Sequence, residues 1–410
     1  MNSTRTSAQA HHRRAIQRQI AELASLDPED KGYESKLRQL GERIARPSGA
    51  RQQLPARAGP AARAADAPGW RAAWGRQKAR LARAREAFLR AIGVTVEGRD
   101  RPAAGHSAGR ETRPAGRFTR RRFGTDPKHK YMLYVPASRK PGPAPLLILL
   151  HGCRQGAADF AAGTRMNEVA DDTGVIVMYP EQSLAANALR CWNWYALQDP
   201  SNSEGDAALI AAMTRQVMGD HDVDPARVYV AGMSAGGAMA AVLARDYPRL
   251  YAALGVHSGV PAGLAHDVYS AMRLMSGGPG LRDDAGTVPP GEDRRPAVAS
   301  IVFHGDEDRT VHPSNGEAFH AAFGVSPGRA QPADSQRATT PPSAGQRGFT
   351  RSVERGPGGV TLRELWIVHG AGHEWAGGSA TQRHTDAKGP DASREMMRFF
   401  LQHQLNREAA

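Results

Sequence analysis

Apolar residues recur at helical spacing in two places near the N-terminus, then give way to short, solid apolar runs farther along. Ile16, Ile20 and Leu23 fall on one face of a helix, and Trp70, Trp74, Leu81, Phe88 and Ile92 on one face of another. Residues 46–69, rich in Pro, Ala, Arg and Gly, read as a linker, as do the aperiodic residues 93–120. From about residue 121 the signals alternate. Residues 131–136 read as a strand, 146–150 as a buried strand, 157–173 as a helix and 175–179 as a second buried strand. A helix over 205–218, a strand over 228–231, a helix over 235–245 and a strand over 252–257 continue the rhythm.

Alternation of this kind predicts a mainly parallel central sheet with helices on both faces, the α/β class. Two excursions interrupt it. Residues 263–296 are Gly/Pro/Asp-rich with one helical piece near 270–275, and residues 326–348 are polar. Excursions between strands of such a sheet are where substrate-covering loops sit. Strands at 299–303 and 362–368 and a closing helix at 392–405 complete the pattern. The predicted organisation is a basic, partly helical or disordered N-terminal region, 1–120, followed by a catalytic domain, 121–410.

Two segments match G-x-S-x-G, and context separates them. Gly105-His106-Ser107-Ala108-Gly109 lies among prolines and arginines and reads as a chance match. Gly232-Met233-Ser234-Ala235-Gly236 follows a strand and leads into an Ala-rich helix, the setting of a nucleophile elbow. A serine on so tight a turn needs small neighbours two positions away on each side, and Gly232 and Gly236 supply them. The backbone N–H of Ala235 then sits at a helix N-terminus, where a developing oxyanion is stabilised.

A serine hydroxyl needs a histidine base, and the histidine needs a carboxylate, in the chain order Ser, acid, His. After the strand at 299–303 comes a loop with Asp306, Glu307 and Asp308. Asp308 is the chosen acid because it lies far enough past the strand to turn back across the sheet edge. His312, His320, His369, His373, His384 and His403 all lie downstream. His373 is the chosen base, in the flexible loop 370–375 just after a strand; His369, at the strand end, is the second choice. The loop after the strand at 146–150 offers the backbone N–H of Cys153 as the second oxyanion donor. Trp192, Trp194 and Tyr195 form an aromatic cluster read either as core packing or as a wall for an apolar ester.

The net charge of +13 first looks like that of a nucleic-acid binder. Residues 1–120 hold 25 Lys/Arg against 11 Asp/Glu, whereas the remainder holds 29 against 30, so the basic character belongs to the N-terminal region alone. That region is expected either to rest on the main domain or to contact an anionic surface, a polymer or nucleic acid, with nucleic acid the disfavoured partner. Two cysteines, Cys153 and Cys191, cannot form a disulfide framework or a four-ligand zinc site, although they could form one bridge. No apolar run approaches the roughly 18 residues of a membrane-spanning helix, and no secretory signal peptide is visible.

Taken together, residues 127–405 resemble the polyhydroxybutyrate depolymerase family of α/β-hydrolase esterases. The motifs are Leu150-His151-Gly152-Cys153, Cys191-Trp192-Asn193-Trp194, Gly205-Asp206, Val223 through Val230, Gly232 through Gly237, Gly255-Val256-His257-Ser258-Gly259, His304-Gly305-x-x-Asp308 and Gly372-His373-x-Trp375. The resemblance implies an α/β-hydrolase fold with Ser234 as nucleophile, Asp308 as acid, His373 as base and the amides of Cys153 and Ala235 as oxyanion hole. The reading that follows is hydrolysis of short-chain polyhydroxyalkanoate polyester or its oligomers, with Trp192 and Trp194 as expected substrate contacts and no metal or organic cofactor required. Feruloyl and acetylxylan esterases belong to the same broad family and supply the alternative substrate. The resemblance also implies a Cys153–Cys191 disulfide and an extracellular setting, a cytoplasmic one being the alternative without a visible signal peptide. Secreted polymer depolymerases usually carry a separate binding module, which this chain does not show.

Overall fold

A computed structural model describes residues 116–126, 129–195, 205–265, 268–277, 298–322 and 334–405. The two amphipathic helices expected near the N-terminus and the Gly105–Gly109 match fall on residues outside those described. The strands are β1 (Arg117–Arg122), β2 (Lys130–Val135), β3 (Ala144–Leu150), β4 (Ile176–Glu181), β5 (Val223–Met233), β6 (Ala253–His257), β7 (Ala299–Gly305), β8 (Asp334–Thr340), β9 (Phe349–Arg355), β10 (Thr361–Val368), β11 (Trp375–Ala376) and β12 (Thr385–Asp386). The helices are α1 (Ala157–Thr164), α2 (Met166–Thr173), α3 (Asp206–Asp220), α4 (Ala235–Asp246), α5 (Val268–Gly277), α6 (Ser314–Ala322) and α7 (Ala392–Phe400).

Ten strands form one sheet in the order β1-β2-β4-β3-β5-β6-β7-β10-β9-β8. The six central strands, β4 through β10 in that order, run parallel, and the two flanking pairs run antiparallel. Strand β3 shows why its sequence is apolar throughout. Leu146, Ile148 and Leu150 enter the core shared with α3 and α4, whereas Leu147 and Leu149 enter the core shared with α1, α2 and α7. A strand buried on both faces has no polar side to display. Among the described residues no helix is long and apolar enough to cross a membrane.

Three predicted elements differ from the sequence reading. The polar stretch at 326–348 is not wholly a covering loop: residues 334–340 form β8, which pairs with β9 and extends the sheet. All seven β8 residues are exposed, so the strand carries no apolar signature. Similarly, β1 begins at Arg117 with four arginines in six residues and crosses the boundary drawn at 120. The helix read over 157–173 is two, divided at Arg165, which sits in the left-handed region at φ 56°.

Parallel strands place their carboxyl ends along one edge of the sheet, and in open α/β sheets ligands bind outside that edge. Here that edge carries the ends of β3, β5, β6, β7 and β10, and with them residues 151–153, Ser234, His257, Asp306 to Asp308 and His369 to His373.

Candidate active site

Ser234 stands between β5 and α4 at φ 56° and ψ −123°. A non-glycine residue held there stores strain on the order of 1–3 kcal/mol, which persists only when the surroundings impose it. The surroundings are close backbone. A Cβ on Gly232 would collide with the main chain of Gly236, and one on Gly236 with the carbonyls of Leu150 and His151. These glycines let α4 start against the end of β3, which brings the 151–153 loop beside the serine. A Cβ placed on Gly152 would stand 3.5 Å from Cβ of Ser234. Among the described residues, the amides of Cys153 and Ala235 have no hydrogen-bond acceptor. Two such donors flanking a serine suit a developing oxyanion.

The 151–153 loop is fixed from below. His151 is fully buried; its Nε2 accepts from the Gln182 amide at 3.1 Å, so Nδ1 carries the proton and donates to the Gly152 carbonyl at 2.8 Å. Burial pulls its pKa down to about 4 and keeps the ring neutral. Cys153 is joined to Cys191 by a disulfide across a separation of 38 residues. Closing a loop of that size removes about 4 kcal/mol of denatured-chain entropy in the loop-closure model. Asp206, at the start of α3, holds the Cys191 end: its Oδ2 accepts from Asn193 N at 2.9 Å, Asn193 Nδ2 at 3.0 Å and Gln182 Nε2 at 2.8 Å.

The same bracing packs the two tryptophans. Trp192 is 2% exposed and Trp194 8%, and both belong to the core on the α3–α4 side. Trp192 Nε1 donates to the His151 carbonyl at 3.0 Å, so this indole supports the loop of Cys153 from beneath. The disulfide and Asp206 fold this loop onto the core.

The structure sorts the candidate acids and histidines into two separate pairs. His373 Nδ1 donates to Oδ2 of Asp308 at 2.7 Å. Asp308 is buried, and its Oδ1 accepts from the amides of Thr310 at 2.9 Å and Val311 at 2.8 Å. Burial works against its ionised form, but His373 and His304 beside it outweigh burial and hold the carboxyl well below the usual carboxylate range. His369 instead pairs with Asp306 at 2.9 Å and meets the Thr350 hydroxyl at 3.0 Å. The other oxygen of Asp306 accepts from Gly370 N at 2.7 Å, so this pair clamps the start of the His373 loop. His312 is a surface residue, His403 lies in the core against Phe399, and the side chain of His320 lies outside the described residues.

Two buried histidines at strand ends had no role in the sequence reading. His304 Nε2 donates to the Val311 carbonyl at 2.9 Å and lies 3.5 Å from Oδ2 of Asp308. His257, at the end of β6, accepts the Ser234 amide on its carbonyl at 2.9 Å. The available signal was a polar residue closing an apolar strand, as in ALGVH and IVFHG. A cleft of about 450 Å³ lies beside the His369 pair, lined by Pro342, Gln346, Arg347, Gly370 and Lys388 among others; its lining includes neither Ser234 nor His373. Among the described residues no group of three or more His, Cys, Asp or Glu is placed to hold a metal ion.

Several known proteins are similar to this chain. Poly(3-hydroxyalkanoate) depolymerase C of Paucimonas lemoignei is 31% identical over 255 residues, which cover 61% of this chain and 60% of that protein. Feruloyl esterase B of Thermothelomyces thermophilus is 33% identical over 211 residues, 48% of this chain and 69% of that protein. The chain thus spans about 60% of the length of the depolymerase it matches. The structure of an acetyl xylan esterase from Aspergillus awamori shares the fold, with a TM-score of 0.51 at 20% identity over 70% of this chain and 100% of that one. Residues 129–341, more than half of the sequence, match the model of the esterase PHB depolymerase family, and the chain belongs to that family.

Proposed function

We propose that this protein is a serine ester hydrolase acting on short-chain polyhydroxyalkanoate polyester or its oligomers. The observation that carries this reading is the hydrogen bond of His373 to the buried Asp308 at the same sheet edge as a serine on a strained elbow. In the proposed mechanism His373 takes the proton of Ser234 as Oγ attacks the ester carbonyl. Asp308 fixes the imidazole with Nδ1 protonated and stabilises the imidazolium. The amides of Cys153 and Ala235 bind the oxyanion. His373 then protonates the leaving alkoxide, and water, deprotonated by the same histidine, hydrolyses the acyl-enzyme.

A feruloyl or acetylxylan esterase is the second reading, favoured by the larger share of feruloyl esterase B that the chain covers. The disulfide beside the site suits an oxidising, extracellular setting. Residues 1–120, with their excess of arginine, are proposed to contact an anionic surface or the polymer. The test compares poly(3-hydroxybutyrate) particles, p-nitrophenyl butyrate, methyl ferulate and acetylated xylan as substrates. Polyester hydrolysis with ferulate and xylan untouched is the expected result. Turnover of ferulate or acetylated xylan without polyester hydrolysis would replace the substrate assignment. In the same assay, removal of residues 1–115, which leaves β1 whole, is expected to lower adsorption to the particles and leave the small-ester rate unchanged.

A further inference from the structure

His257 is 1% exposed, and each of its polar groups is engaged in a way that joins two parts of the site. On the main chain, its carbonyl holds the amide of Ser234, fixing the elbow to β6. On the side chain, Nε2 accepts from the Ala376 amide at 3.0 Å, 119 residues away in sequence and three beyond His373. An N–H at Ala376 requires a lone pair on Nε2, so the proton sits on Nδ1, which lies 3.1 Å from the Ser258 hydroxyl. The ring is stacked between Phe303, with centroids 5.9 Å apart, and Trp375 at 5.2 Å.

The loop bearing His373 is therefore held at both ends. Upstream, Asp306 grips the Gly370 amide, and the Glu307 amide donates to the Ala371 carbonyl at 3.0 Å. Downstream, the hold on β11 from the sheet edge is the imidazole of His257. We propose that His257 is a positioning residue, a neutral buried imidazole that sets the His373 loop against the Ser234 elbow because one residue binds both. The inference rests on the Ser234–His373–Asp308 reading above. Burial, with the nearby His304 and His373, pulls the His257 pKa down to about 3 against the opposing effect of Asp308, so the acceptor on Nε2 persists through the neutral range. A protonated ring would turn an N–H toward the Ala376 N–H and lose this bond.

The test is a graded series at one position, read on p-nitrophenyl butyrate. His257→Phe keeps the stacked ring but leaves the Ala376 amide without an acceptor. His257→Gln carries a carbonyl oxygen to about the place of Nε2, and His257→Asn falls one methylene short. Misplacing a catalytic group by about 1 Å costs on the order of 10²-fold. We therefore expect kcat to fall by roughly 10- to 100-fold in the Phe and Asn variants, with KM within about twofold, and the Gln variant to recover most of that loss. Thermal unfolding measured in parallel, with His403→Phe as a buried histidine away from the site, separates alignment from packing. If Phe does not fold, the Gln and Asn comparison decides alone. Equal kcat in Gln and Asn, or Phe at wild-type kcat, would overturn the positioning role. Hydrolysis that survives Ser234→Ala would overturn the underlying triad instead.

Discussion

Ser234→Ala is expected to lower kcat for p-nitrophenyl butyrate on the order of 10⁶-fold, with KM little changed. The size follows from the lack of a substitute nucleophile at the elbow. Cys153, in the 151–153 loop beside the elbow, is half of a disulfide and has no thiolate to offer. Ser258 is fully buried and faces the His257 ring. What remains in the variant is the oxyanion hole and the binding surface, which by themselves sustain only a small acceleration over water. Release of p-nitrophenolate by wild type and variant, at enzyme concentrations high enough to see the residual rate, checks this. A variant within tenfold of wild type would remove Ser234 from the chemistry.

Asp308→Asn is expected to cost on the order of 10⁴-fold in kcat, whereas Asp306→Asn should cost less than about tenfold. The two aspartates are two residues apart and each holds a histidine, so the contrast tests geometry rather than composition. Asp308 accepts the Nδ1–H of His373 and is buried; an asparagine there lacks the charge that stabilises an imidazolium and favours the wrong tautomer. Asp306 is partly exposed and bonds His369 and the Gly370 amide, so its loss loosens one end of a loop. Steady-state kinetics of both variants decides between them, and equal losses would show that the pairing has been assigned to the wrong histidine. Because the folded carboxyl of Asp308 is held below its unfolded value of about 3.9, any stability it contributes is present above that pH and is lost as the pH falls toward the folded value.

Much of the sheet was legible because its central strands are buried on both faces and so are written as solid apolar runs. The flanking strands were not, because β8 is exposed at every residue and β1 is mostly arginine. Their pairing comes from main-chain hydrogen bonds, which any side chain permits. At the site, the elbow was legible because its constraint is local: two glycines, a strand before and a helix after. The choice between Asp306 and Asp308 is set by which histidine each meets, a contact between segments more than 60 residues apart. The packing of Trp192 and Trp194 was not legible because the burial of their loop depends on the disulfide to Cys153 and on the Asp206 hub. His257 carried only the sign of a polar residue closing an apolar strand; its partners, the amides of Ser234 just past β5 and of Ala376 on β11, meet it only in the folded chain.

Reaction with a p-nitrophenyl alkylphosphonate, followed by intact mass and peptide mapping, ties the nucleophile to one atom. One adduct per chain on the peptide containing Ser234, with esterase activity falling in step with labelling, is the result a serine hydrolase built on Ser234, His373 and Asp308 must give. Labelling at any other residue, or full modification of Ser234 with activity retained, would contradict that mechanism.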